Sequence, residues 1–134
     1  MIEDSTTTSE TVTEGIRVQV RARPCPERSN PAGGQWFFLY TIRIRNETEI
    51  SVQLTDRHWI IVDGSGRTEE VKGEGVVGEQ PVLRPGEGFE YTSGCPLTTP
   101  FGSMTGSYRM QREDGSEFRA EIAIFELIAA RAIH

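Results

Sequence analysis

With 134 residues, a formal net charge of -6, 36% hydrophobic and 25% charged residues, the chain can bury one two-layer core but not two. Its negative charge opposes phosphate backbones and argues against sequence-independent nucleic-acid binding. No apolar run reaches membrane-spanning length and Met1-Ile2-Glu3-Asp4-Ser5-Thr6-Thr7-Thr8 lacks the basic and apolar regions of a signal peptide, so a cytoplasmic protein with no membrane partner is expected.

Residues 1–15 are rich in Thr, Ser and Glu with little to bury, and read as a disordered or weakly ordered lead-in. A domain then runs over 16–127. Ile16, Val18, Val20 and Ala22 alternate with Arg17, Gln19, Arg21 and Arg23, the two-residue period of a half-buried strand. Pro24, Pro26, Pro31, Gly33 and Gly34 break the pattern into a loop. In Gln35 to Arg45 the residues Trp36, Phe38, Tyr40, Ile42 and Ile44 share one face. Phe37 and Leu39 make the opposite face apolar at its start, as expected of a central strand covered on both sides there.

Val52 and Leu54 open another alternating run that resumes through Ile60, Ile61 and Val62, with Asp56-Arg57-His58 interrupting it where a bulge is expected. Asp63-Gly64-Ser65-Gly66 signals a hairpin, and a strand returns over 67–71. Glycine-rich 72–80 and the turn at Arg84-Pro85-Gly86-Glu87 flank a short strand. Strands around Phe89 and Tyr91, around Met104 to Met110, and around Phe118 to Ile124 complete the set, the last two joined at Asp114-Gly115. About seven strands without a helical period predict an all-β, antiparallel sandwich of the immunoglobulin or fibronectin type III kind, with Tyr108 a candidate tyrosine-corner residue. The tail over 128–134, with Ala129-Ala130-Arg131-Ala132, favours a short helix or a frayed extension.

Gly73-Glu74-Gly75-Val76-Val77-Gly78 has G-x-G-x-x-G spacing, but Pro81 follows and no helix begins, so the dinucleotide-binding fold is excluded. Two accounts of the spacing stand. Amides around the glycines can form an anion-binding nest, with Lys72, Arg57, Arg67 and Arg84 nearby, although Glu74 and Glu79 oppose it. Alternatively the glycines serve only backbone geometry, which is the simpler account. Arg57-His58-Trp59 is the second candidate surface, since an exposed Trp beside Arg suits recognition. Strand parity instead aligns His58 with Leu54, and a one-residue bulge exchanges the faces of His58 and Trp59.

Catalysis has little support, because the only histidines are His58 and His134 and no nucleophile and base are paired by motif. Cys25 and Cys95 match no zinc or redox pattern and read as free thiols, with a disulfide the minority alternative. No metal site or cofactor is expected.

Several ordered blocks together resemble the ApaG (CorD) family: Arg57-His58-Trp59-Ile60-Ile61, the run from Gly73 to Pro81, Pro85-Gly86, Phe89-Glu90-Tyr91-Thr92-Ser93-Gly94 and Met104-Thr105-Gly106-Ser107-Tyr108-Arg109-Met110. The resemblance covers roughly 16–127. It implies a fibronectin type III-like sandwich, a link to cobalt tolerance and magnesium efflux, and a protein-binding role like that of related domains in F-box and polymerase-interacting proteins. It also carries a proposed pyrophosphate or nucleotide site onto Gly73, Gly75 and Gly78, with Lys72 where the family commonly has histidine. The preferred expectation is a non-catalytic module that binds an unidentified protein through sheet edges or loops near Trp59. The alternative is phosphate, pyrophosphate or nucleotide binding at Gly73 to Gly78 for sensing or regulation. Self-association into a homodimer through sheet edges is a further option.

Overall fold

The computed structural model describes residues 5–129. In chain order its strands are β1 (Thr7–Thr13), β2 (Ile16–Pro24), β3 (Trp36–Asn46), β4 (Val52–Asp63), β5 (Thr68–Glu74), β6 (Val82–Leu83), β7 (Gly88–Leu97), β8 (Phe101–Arg112) and β9 (Glu117–Ile128). All pairings are antiparallel. One sheet runs β1-β2-β3-β7, the other β5-β4-β8-β9, and β6 pairs with the start of β4. The all-β sandwich read from alternation is the fold observed.

Alternation decides what is buried. Ile16, Val18 and Val20 of β2 and Phe38, Ile42 and Ile44 of β3 face inward, meeting Leu54, Met110, Ile122 and Leu127 of the opposite sheet. Phe37, on the other face of β3, lies under the Arg28 guanidinium, 4.0 Å from its ring centroid, and against Gly94, so β3 is covered on both sides near its start. Asn46 ends β3 fully buried: its Nδ2 donates to Ile50 O (2.8 Å) and Leu83 O (2.9 Å), and its Oδ1 accepts from the Thr48 amide (2.9 Å) and hydroxyl (2.6 Å).

Two expectations are corrected. The lead-in is not unstructured over its whole length, because β1 pairs with β2 from Thr7↔Ala22 to Thr13↔Ile16 and lies along β9. Thr7 Oγ1 donates to Glu126 O (2.5 Å), Ser9 Oγ donates to Ala123 O (2.8 Å), and Thr13 Oγ1 accepts from the Glu121 amide (3.1 Å). Hydroxyls therefore supply to the β9 edge the hydrogen bonds that a further strand would supply, and the seam needs little apolar area. Nine strands consequently stand where about seven are expected.

Tyr108 is the second correction. It is fully buried, but its hydroxyl pairs with that of Tyr91 at 2.5 Å across the two sheets rather than turning to a backbone group, so it is not a tyrosine corner. Burial raises the ionisation of Tyr40, Tyr91 and Tyr108 above the ordinary tyrosine range. Each of them holds its proton more tightly folded than unfolded. The tyrosines' contribution should therefore be level below about pH 10 and fall above it, by up to about 1.4 kcal/mol per pH unit for each, following an earlier fall from about pH 9 that the buried Cys95 thiol contributes. Urea unfolding between about pH 8 and pH 12 checks this, and Tyr91→Phe/Tyr108→Phe should flatten the fall.

Both cysteines are free, as expected, and buried. Cys25 lies on the β2 side of β3, its amide donating to Phe37 O, while Cys95 pairs with Phe38 on the β7 side. With a whole strand between them they are about 10 Å apart, beyond disulfide reach. Burial pushes the Cys95 thiol up to about 12, leaving it protonated and unreactive. The helix or extension expected in the tail lies outside the described residues from position 130 onward. Among the described residues no helix is long and apolar enough to cross a membrane.

Candidate functional site

The register of β4 against β8 shifts between Leu54 and Asp56, which makes Thr55 the extra residue of a bulge. Val52 and Leu54 point inward before it, and Trp59 points inward after it. The faces of His58 and Trp59 are therefore exchanged relative to unbroken alternation. Trp59 is 3% exposed, with rings of Tyr40, Phe125 and Tyr108 at 5.3, 6.0 and 6.4 Å in edge-on arrangements. The expectation of an exposed Trp at a recognition surface is thus corrected. His58 lies on the outer face, its Nε2 2.9 Å from Glu70 Oε1.

The same bulge anchors the glycine segment. Thr55 O accepts from the Gly75 amide (2.8 Å) and from Gln80 Nε2 (2.9 Å). Arg57, inward like Trp59, lays its guanidinium over Gly73 and donates to Glu74 O (2.9 Å) and Gly75 O (3.0 Å). Each glycine has its own reason. At Gly73 a β-carbon would meet the Arg57 guanidinium at 2.9 Å; at Gly75 it would meet Glu79 O at 2.3 Å, and φ is +62°. Gly78, at φ +82°, shares with Val77, at φ +42°, the centre of a tight turn closed by Val76 N-H to Glu79 O (2.8 Å) and Glu79 N-H to Val76 O (2.9 Å). The amides of Gly75, Val76 and Glu79 are all committed within the structure, and a Gly75→Val change would distort the turn itself.

Beside this turn the outer face of β5, β4, β8 and β9 forms an open groove of about 510 Å³ lined by Asp56, His58, Lys72, Glu74, Arg109 and Arg119, with Arg57 and Gly73 at its margin. It brings together every predicted site residue except Trp59, Gly75 and Gly78. The charges are mixed and largely answered: Arg109 pairs with Asp56 and stands 3.9 Å from Glu117, and Arg119 donates to Ser107 Oγ at 3.1 Å. Lys72 is exposed, sits opposite His58 across the β4-β5 ladder, and makes no ion pair among the described residues. No group of three or more His, Cys, Asp or Glu among the described residues could hold a metal ion.

These local features have close counterparts. The family model described as the ApaG domain matches residues 26–112. Protein ApaG of Beijerinckia indica is 55% identical over 117 residues, spanning 87% of this chain and 90% of its own. Protein ApaG of Anaeromyxobacter dehalogenans strain 2CP-1 is 56% identical over 126 residues, spanning 94% and 99%. The chain belongs to the ApaG family. The crystal structure of the putative ApaA protein from Bordetella pertussis superposes with a TM-score of 0.85 at 50% identity, over 87% of this chain and 95% of that one.

The groove residues beyond the ApaG glycine segment, Arg109 and Arg119, did not stand out in the sequence. They are 50 or more positions from His58 and reach it only through the β4-β8-β9 ladders. The alternation of β8 and β9 places them outward, but which strands are neighbours is a property of the topology.

Proposed function

We propose that the chain is a non-catalytic protein-binding module that takes up a partner strand along the free edge of β7. The observation that carries the reading is the asymmetry of the sandwich's two sides. On one side β1 closes the β9 edge with hydroxyl hydrogen bonds. On the other, β5 and β7 end their sheets without a neighbour among the described residues.

The two open edges differ. β5 carries Glu69, Glu70, Lys72 and Glu74, the kind of charge that discourages edge pairing. Ten-residue β7 carries one carboxylate, Glu90, and one proline, Pro96, near its end. The Asn46 amide donates to Glu87 O at 2.9 Å, and an antiparallel ladder alternates from there. Phe89, Tyr91, Ser93 and Cys95 therefore aim their backbone groups at β3, while Gly88, Glu90, Thr92 and Gly94 aim theirs outward, as strand addition requires.

The non-catalytic part of the reading rests on the commitment of His58, whose Nε2 lies 2.9 Å from Glu70 Oε1, a carboxylate rather than a hydroxyl or thiol. Phosphate, pyrophosphate or nucleotide binding at Gly73, Gly75 and Gly78 has weaker support, since that turn spends three amides internally and is flanked by Glu74 and Glu79. A link to cobalt tolerance and magnesium efflux would then act through the bound protein.

The test uses the full chain as bait, identifies the captured protein, and measures amide exchange in the purified complex. Exchange at Gly88, Glu90, Thr92 and Gly94 should slow at least about tenfold on binding, and Glu90→Pro, which removes one outward N-H, should weaken capture. Protection confined to other surfaces, or full capture by Glu90→Pro, would overturn the reading. A second copy paired at this edge instead would show as a dimer in sedimentation velocity.

A further inference from the structure

The chain as a whole is acidic, yet the outer face of the β1-β2-β3-β7 sheet is basic. Alternation places Arg17, Arg21 and Arg23 of β2 there with Arg43 and Arg45 of β3, and the register sets Arg17 directly opposite Arg45. Like charges so opposed destabilise a sheet unless carboxylates answer them, and on this face they are answered only in part. Three carboxylates answer the five arginines. Glu10 and Glu47 hold Arg17 at 2.6 and 2.8 Å, and Glu90 holds Arg43 at 3.1 Å.

Arg21, Arg23 and Arg45 are exposed and form no ion pair within 4 Å among the described residues; Arg23 donates to Pro24 O at 3.4 Å and lies near enough to Glu27, as Arg45 does to Glu47, to favour that carboxylate's charged form without contact. Arg21 and Arg23 border a groove of about 270 Å³ that also takes in Leu39, Thr41 and Thr92, with the two threonine hydroxyls 2.8 Å apart. One of those hydroxyls donates to the other and leaves a proton free for a ligand oxygen.

We propose that this face docks an extended acidic segment of a protein partner, with carboxylates two residues apart meeting Arg21 and Arg23 and a third, four residues further along, meeting Arg45 beside Arg17. Charge complementarity identifies the occupant. Side chains on one face of a strand recur about every 7 Å, the same repeat for arginines along β2 and for carboxylates along an extended peptide, and guanidinium-carboxylate pairing is directional. A single nucleic-acid strand also carries regular negative charge, but it binds by stacking bases on open aromatic rings. The aromatic residue of this face, Phe37, is already covered by Arg28. The inference is independent of strand addition, since Arg21 and Arg23 lie on β2, with β3 between them and β7.

Fluorescence anisotropy with a labelled peptide of alternating Glu and Thr tests it on the full chain. Saturable binding is expected, weakening about tenfold between about 50 and about 300 mM salt. Arg21→Glu/Arg23→Glu should weaken it at least about tenfold, and Arg21→Gln/Arg23→Gln should weaken it less. Glu90→Pro, which also frees Arg43 from its carboxylate, should retain or strengthen binding, whereas it weakens strand addition, and this separates the face from the β7 edge. The substituted positions are exposed, and circular dichroism with thermal melts confirms that the variants fold. Absence of saturation at millimolar peptide, or equal binding by the charge-reversed variant, overturns the proposal. So does tighter binding of an oligothymidine of the same charge, lost in the same variant, which would assign the face to nucleic acid.

Discussion

Trp59→Ala should cost about 3–5 kcal/mol of stability, because it removes the largest side chain of the inner face of β4 from a cluster already closed around it. Trp59 is 3% exposed and meets three aromatic rings edge-on, so the loss combines transfer free energy, a cavity, and ring contacts worth about 0.5–1.5 kcal/mol per pair. Domains of this size are typically stable by only about 5–15 kcal/mol, so the variant should be marginally folded. Urea unfolding followed by far-ultraviolet circular dichroism reads the shift. Trp59→Phe should lose much less, and His58→Ala, which breaks one partly exposed contact with Glu70, at most about 1 kcal/mol. A loss below about 1 kcal/mol for Trp59→Ala would place the ring at the surface. Any loss of partner binding in Trp59→Ala accordingly reports unfolding rather than a missing contact.

Asn46→Asp should cost a similar amount, about 3–5 kcal/mol at neutral pH, through electrostatics alone since the shape is retained. Asn46 is fully buried, and its Nδ2 donates to Ile50 O and Leu83 O, joining the end of β3 to the following turn and to β6. A carboxylate there loses both donors and sets a buried negative charge against two carbonyl oxygens. Protonation returns one donor, so the deficit relative to the native protein should shrink as pH falls toward about 4. Chemical denaturation at two pH values measures both quantities. A cost that is small and independent of pH would mean that the asparagine does not hold these segments together.

The resemblance legible in the sequence led to the right family, and the two-residue period of β2, β3 and β8 led to the right sandwich, whereas in β9 a register shift after Ile122 turns Ile124 outward and Phe125 into the core. Period and turn chemistry are local, and Asp63-Gly64, Pro85-Gly86 and Asp114-Gly115 mark strand ends wherever the strands later pair. Composition misled at β1, where Thr7, Ser9 and Thr13 contribute hydrogen bonds to a neighbouring edge rather than apolar area. That contribution exists only once β9 lies beside them.

The glycine segment from Gly73 to Gly78, the Arg57-His58-Trp59 run and the arginines alternating along β2 and β3 were all visible as residues in order. What each does was decided in three dimensions. One extra residue at Thr55 turns Trp59 into the core and His58 out of it, because side-chain direction on a strand depends on counting by twos. Neighbouring backbone then dictates what the glycines are for: Glu79 O leaves no room for a β-carbon at Gly75, and the turn consumes the amides that an anion would need. Sequence alone determined the period, the turns and the family, since those follow from covalent neighbours. Only the tertiary structure decided which edges stay open and which charges share a face, because both depend on strands far apart in the chain coming side by side.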